Sequence, residues 1–403
     1  MLFCGVALWS LGTLLAPPAA LLGLPALCAS RLLVGLGEGV APSAATALLV
    51  QFVPARERAR AVSVVWGGLD LGSVVGLLVA PAIISLAGWQ SVFTLFALLG
   101  FAWCGLWTRY AQPITAAAAA AGARGRGGGR APGSAAAAAA WIAAWQRDRR
   151  AAAPVPWRKF GASPAVWAVV CAHFCFNYGY YTLLAWLPSY FGGALGLDLS
   201  VSSTLTLMPY LAMVGMTPFV GPVADALVSR GVTVTRIRKM AQGLALVGPA
   251  LCMLALALVT PAPSPLPTVR WLPVWMLGIA SGGAAPPVTL VVCLMSLAFG
   301  LSAWSRAGLF CNHQDLSPRY ASLLLGISST AGALPGFAGV LVRAFNRLCF
   351  SRLHSHPNAL QAAGMVLDAT SSWALALFLP TAAAQIIGAI VYTAFASGEE
   401  LQL

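Results

Sequence analysis

Arg31-Leu-Leu-Val-Gly35-Leu-Gly37-Glu38-Gly39-Val40 decides how the chain is read. Arg31 and Glu38 are the only charged residues between Leu21 and Phe52, a run long enough to cross a bilayer as one helix. Their separation is almost two helical turns, so both side chains project from one face, about 10 Å apart along the axis. An ionisable group at membrane depth costs on the order of 3 kcal/mol or more, and therefore faces a protein interior or a water-filled cavity. Here the face that carries the charges is lined with glycine. The pattern predicts a membrane helix that borders a polar pathway.

Composition agrees. Hydrophobic residues make up 59% of the 403 and charged residues 8%, where a soluble domain carries roughly 25% charged residues. So few charges cannot cover a water-facing surface, and the solvent for most of the chain is lipid. The formal net charge of +13 raises the possibility of nucleic acid as a partner. That class is excluded by placement, because the basic residues sit between apolar runs with no aromatic-interleaved patch. The cysteines fall mostly inside apolar runs, without zinc-ribbon spacing, and read as small core residues.

Apolar runs of spanning length occur at about 2–20, 25–52, 61–86, 90–109, 166–191, 204–225, 240–260, 286–310, 320–342 and 372–396. They predict an all-α membrane protein with about ten transmembrane helices. Residues 1–110 form a first bundle and 164–403 a six-helix bundle with an insertion at 261–285. Between the bundles, 111–163 carries two polyalanine tracts, Gly127–Gly129 and arginines at 124, 126, 130, 147, 149 and 150, and reads as a disordered tether.

With alternating crossings, one side receives Arg56, Arg58, Arg60, Arg109, the tether arginines, Arg158, Lys159, Arg230, Arg236, Arg238, Lys239 and Arg319. The other receives only Arg270, Arg343, Arg347 and Arg352. The bias predicts that the first side is cytoplasmic, or stromal in an organelle. Arg31 and Arg306 remain inside apolar runs.

Several stretches carry a family resemblance. Beside the Arg31–Val40 stretch stand Pro54-Ala-Arg56-Glu57-Arg58-Ala-Arg60-Ala and Gly88-Trp89-Gln-Ser91-Val-Phe93. Later come His173-Phe-Cys175-Phe-Asn177-Tyr-Gly-Tyr-Tyr181-Thr-Leu-Leu-Ala-Trp186-Leu-Pro188-Ser-Tyr190, Gly221-Pro-Val-Ala-Asp225-Ala-Leu-Val-Ser-Arg230-Gly and Asn312-His313-Gln314-Asp315-Leu-Ser-Pro318-Arg319-Tyr320-Ala. In order and spacing they resemble the anion:cation symporter branch of the major facilitator superfamily, and within it the plant and algal plastid phosphate and anion transporters. The resemblance implies a twelve-helix fold in two halves, of which this chain lacks the first two helices.

It also implies roles. Arg31 falls where the branch places an arginine that contacts the anionic substrate, and a guanidinium offers a permanent charge and a planar fork to carboxylate or phosphate. The alternative is that Arg31 only neutralises Glu38. Glu38 matches an acid linked in the branch to proton coupling, and Asp70, among Gly67, Gly68 and Gly72, is a second coupling candidate. His173, Asn177 and Tyr181 lie on the helix where relatives carry substrate-facing groups; Phe176 stands where some relatives have a second basic residue. Asp225 with Arg230, and Asp315 with Arg319, resemble loop pairs that tie helix ends in one conformation and release them in the other.

The expected protein is a secondary transporter of a small anion, with inorganic phosphate first among substrates and proton or sodium as coupling ion. Ascorbate, glutamate and nucleotides remain open, as does a non-transporting membrane paralogue. No Ser-His-Asp order, metal-ligand spacing or phosphate loop is present, so neither an enzyme nor a cofactor is expected.

Overall fold

The structure, a computed structural model, describes residues 1–54, 57–124, 155–260, 286–349, 366–367 and 370–401. Among the described residues the regular structure is helical. In chain order the helices are α1 (Leu2–Leu14), α2 (Ala16–Leu22), α3 (Leu24–Phe52), α4 (Arg58–Ala87), α5 (Trp89–Arg124), α6 (Trp157–Ala162), α7 (Pro164–Leu195), α8 (Leu199–Ser229), α9 (Val234–Val259), α10 (Val288–Ser302), α11 (Leu309–Leu316), α12 (Ala321–Cys349) and α13 (Leu379–Phe395). A 3₁₀ turn, Ala303–Arg306, joins α10 towards α11, and a π-helical turn, Ala374–Phe378, leads into α13.

Each apolar run expected to cross the membrane is occupied by a helix, with one correction at the start. The first run is a bent pair, α1 and α2, turned by 45°. Pro17 and Pro18 follow the bend, and a proline's missing N–H and ring clash explain why one straight helix does not form there. Among the described residues, seven helices are long and apolar enough to span, or eight if the bent pair counts as one. α7, with 32 residues, is long enough but is not in that set. Its His173, Asn177, Tyr178, Tyr180 and Tyr181 lower its hydropathy.

Within the segment read as a tether, 111–163, α5 continues to Arg124 and α6 spans Trp157–Ala162. Alanine is the best helix former, and extending an existing helix requires no new nucleus. The central part, 125–154, and the insertion read at 261–285 lie outside the described residues.

The chain divides into two compact units. The first contains residues 1–52 and 78–160; the second contains 53–77 and 161–402. α4 is therefore shared: its first twenty residues, Arg58–Leu77, cluster with the second unit. In the first unit α1 packs on α3 and α5. The α1–α3 contact requires glycine, because a Cβ on Gly37 would lie 2.5 Å from the Gly5 carbonyl oxygen and 2.7 Å from the Trp9 nitrogen. In the second unit α7 packs against α12 and α13, α9 against α10 and α13, and α10 against α8. α4 presses on α8 backbone to backbone, with a Cβ on Gly221 falling 2.8 Å from the Arg60 nitrogen.

Candidate functional site

In the first unit, the open face of α3 carries the charges. Arg31 and Glu38 are exposed. A Cβ added at Gly35 or Gly39 would meet nothing within 4 Å, so this face is uncovered while Gly37 packs on α1. Among the described residues no ion pair joins Arg31 to Glu38. Instead Arg31 Nη2 donates to the Gly12 carbonyl at 3.3 Å, its Nε reaches Ser30 Oγ at 3.5 Å, and its guanidinium carbon lies 5.5 Å from the centre of the Phe93 ring. Two long bonds and one ring hold the group in place without consuming its five donors. Such a cation is positioned but still able to take an anion.

The second unit holds the other candidates, arranged in three groups. In the first, Asp70 of α4 meets Arg306 of the 3₁₀ turn: Arg306 Nη2 donates to both carboxylate oxygens, at 2.8 and 2.9 Å. Their side chains are 3% and 4% exposed, so the pair is removed from solvent. Trp66 and Phe310 pack on the guanidinium, with ring centres 5.9 and 5.1 Å from its carbon.

The second group links α7, α11 and α12. Ser328 Oγ lies 3.0 Å from His173 Nδ1 and 2.7 Å from His313 Nε2, and itself donates to the Leu325 carbonyl. A hydroxyl has one proton, so with that proton on Leu325 both histidines donate to Ser328. Asn177 Nδ2 donates to the Gly332 carbonyl at 3.0 Å, and Tyr181 packs edge-on against Tyr180. These contacts place His173 and Asn177 in helix packing.

The third group gathers charge at the start of α4. Asp315 accepts from Arg238 Nε at 2.6 Å and from Arg58 Nη1 at 3.3 Å, and Arg238 also donates to the Ala307 carbonyl. Asp225 accepts the backbone N–H groups of Ala59 and Arg60 at 3.2 and 2.9 Å. Those are first-turn donors that α4 cannot satisfy internally. The pairing differs from the expected one: Arg230 caps the end of α8 by its backbone, and Arg319 lies over the Tyr320 ring rather than against Asp315. The partner of each acid comes from a different helix, which local spacing does not reveal.

Sequence reasoning placed Arg306 inside an apolar run but gave it no role. The available signal was charge balance at membrane depth: Asp70 was an acid without a neighbouring base, and Arg306 a base without a neighbouring acid.

The sequence matches the Major Facilitator Superfamily over residues 1–301. It is 38% identical over 396 residues to "Probable anion transporter 6, chloroplastic" of Arabidopsis thaliana, covering 98% of this chain and 65% of that one. It is 33% identical over 397 residues to both the "Ascorbate transporter, chloroplastic" and the "Sodium-dependent phosphate transport protein 1, chloroplastic" of the same plant. In both cases the alignment covers 98% of this chain, with 62% and 66% of the relatives. The chain thus spans about two thirds of the length of these relatives. In structure it is similar to the proton:xylose symporter XylE bound to 6-bromo-6-deoxy-D-glucose, with TM-score 0.63 at 15% identity, over 98% of this chain and 81% of that one. That likeness concerns the fold. With residues 1–301 matched, this chain belongs to the Major Facilitator Superfamily.

Proposed function

We propose that the protein is a secondary active transporter that moves a small anion across a plastid membrane by alternating access. Inorganic phosphate is the leading substrate, with protons or sodium as the driving ion. The observation that carries this reading is Arg31: an intramembrane guanidinium on an uncovered helix face, held by long contacts and without a carboxylate partner among the described residues. Glu38, exposed one face-repeat further along α3, is the coupling candidate of the same unit. The Arg58–Asp315–Arg238 cluster, with Asp225 on the start of α4, is the part suited to lock and release helix ends. The plastid location and the phosphate preference draw on relatives named as chloroplastic and as a sodium-dependent phosphate transport protein.

An organic anion is the second reading, favoured by equal identity to the relative named as an ascorbate transporter. Proteoliposome uptake of labelled phosphate, with ascorbate, glutamate and ATP as competitors, separates the two. Arg31→Ala is expected to abolish uptake while leaving membrane insertion intact. Normal uptake by that variant would remove Arg31 from the anion's path, and absence of uptake of every anion by the unaltered protein would sink the transporter reading.

A further inference from the structure

The Asp70–Arg306 pair is built unlike a permanent structural bridge. A guanidinium that meets a carboxylate as fork to fork commits two nitrogens in parallel. Here one nitrogen, Nη2, straddles both oxygens of Asp70, and Nε is buried with no partner among the described residues. Ser305 Oγ, on the adjacent residue, is likewise buried and unpartnered. A buried donor without an acceptor is destabilising, and more so when charged. Arg306 thus keeps an edge that an oxyanion can satisfy and that Asp70 does not.

Charge balance at membrane depth gives this edge a function. With Asp70 ionised, carboxylate and guanidinium cancel. If a proton binds Asp70, the guanidinium is left uncompensated in a site lined by Trp66 and Phe310, an unfavourable condition unless another anion arrives. A monoanion entering with the proton restores neutrality. We propose that Asp70 and Arg306 form a proton-gated oxyanion site: the proton from water rests on a carboxylate oxygen of Asp70, and Arg306 exchanges that carboxylate for the oxygen atoms of the transported anion. Loss of the proton lets Asp70 reclaim Arg306 and expel the anion. The inference rests on the transporter reading and names the proton as its coupling ion.

The groups facing the pair are identified on each neighbouring helix. Tyr180 of α7 is within electrostatic reach of Asp70 and Arg306. His173 of α7 feels Arg306 and His313 of α11. Tyr210 of α8 packs against Tyr180. Asp70 is the carboxylate among these groups, and the histidines are engaged with Ser328.

Labelled phosphate binding to the purified full chain in sodium-free detergent tests the proposal across mildly acidic to mildly alkaline buffer. For the unaltered protein, affinity should fall about tenfold per pH unit once Asp70 ionises, as required when one proton binds with each anion. Asp70→Asn should keep the tight acidic affinity and retain only the pH dependence of phosphate's own ionisation. Asp70→Glu should preserve the full dependence, and Arg306→Gln should weaken acidic binding at least about tenfold. Proton uptake on phosphate addition, followed with an indicator dye in weak buffer, requires no variant and should be seen with the unaltered protein. Proton uptake that persists in Asp70→Asn and vanishes in Glu38→Gln would overturn the proposal, as would its absence from the unaltered protein. An unaltered protein that binds neither phosphate nor ascorbate would instead defeat the transporter reading itself.

Discussion

Arg238 Nε donates to Asp315 Oδ2 at 2.6 Å, from a side chain only 3% exposed. Arg58 takes the other carboxylate oxygen, so a single acid on α11 holds two arginines, one from α9 and one from α4. Two cations sharing one anion depend on it more than an isolated pair would.

Asp315→Asn should therefore cost about 3–5 kcal/mol, the usual penalty when one partner of a buried pair is removed. The measurement is thermal or denaturant unfolding of the purified protein. Arg238→Lys should cost less than Arg238→Ala but more than nothing, because lysine keeps the charge and cannot reproduce the geometry that also serves the Ala307 carbonyl at 2.9 Å. An unfolding midpoint unmoved by Asp315→Asn would mean that the cluster carries no net stability.

Glycines on two helices should respond oppositely to enlargement. A Cβ at Gly332 would lie 2.8 Å from Asn177 Nδ2 and 2.9 Å from His173 Cδ2, both in the α7–α12 contact. Gly332→Ala should destabilise by about 1–3 kcal/mol through overpacking. Gly35 meets nothing within 4 Å, so Gly35→Ala should leave unfolding unchanged or slightly later. Equal losses for both would contradict the difference in packing.

Gly35→Trp should leave the protein folded and block anion uptake, since it fills the face that Arg31 and Glu38 share. Uptake at the unaltered rate in correctly inserted protein would show that the anion does not pass that face.

If Glu38 rather than Asp70 carries the coupling, Glu38→Gln should weaken the response of uptake to the imposed ion gradient while leaving downhill anion exchange in place. The test compares proton and sodium gradients in proteoliposomes. An unchanged response to both would remove Glu38 from coupling and leave Asp70 as the acid that can serve.

The fold was legible because period and length are local properties. The apolar runs mark the helices, and the motifs from Arg31 to Tyr320 lead to the same superfamily that the match over residues 1–301 establishes. Helix breaks were less legible: the bend after Leu14 depends on how Pro17 and Pro18 break the ladder, and the extension of α5 to Arg124 on the polyalanine tract continuing a helix already begun. The charge pairs were least legible. Asp70 and Arg306 are 236 positions apart, and Arg58 and Asp315 are 257 apart, so only the packed helices bring them together. Arg31 shows the converse case. That it forms no ion pair with Glu38 could not be read from a spacing that would have allowed either outcome.

The acid on α8 that finishes the first turn of α4 sets a condition on movement. When those two helices part, the amides of Ala59 and Arg60 lose their acceptor, and hydrocarbon offers nothing in exchange. Only water can stand in for the carboxylate. A swing of α4 away from α8 would therefore leave those two amides to be hydrated at the exposed end of the contact.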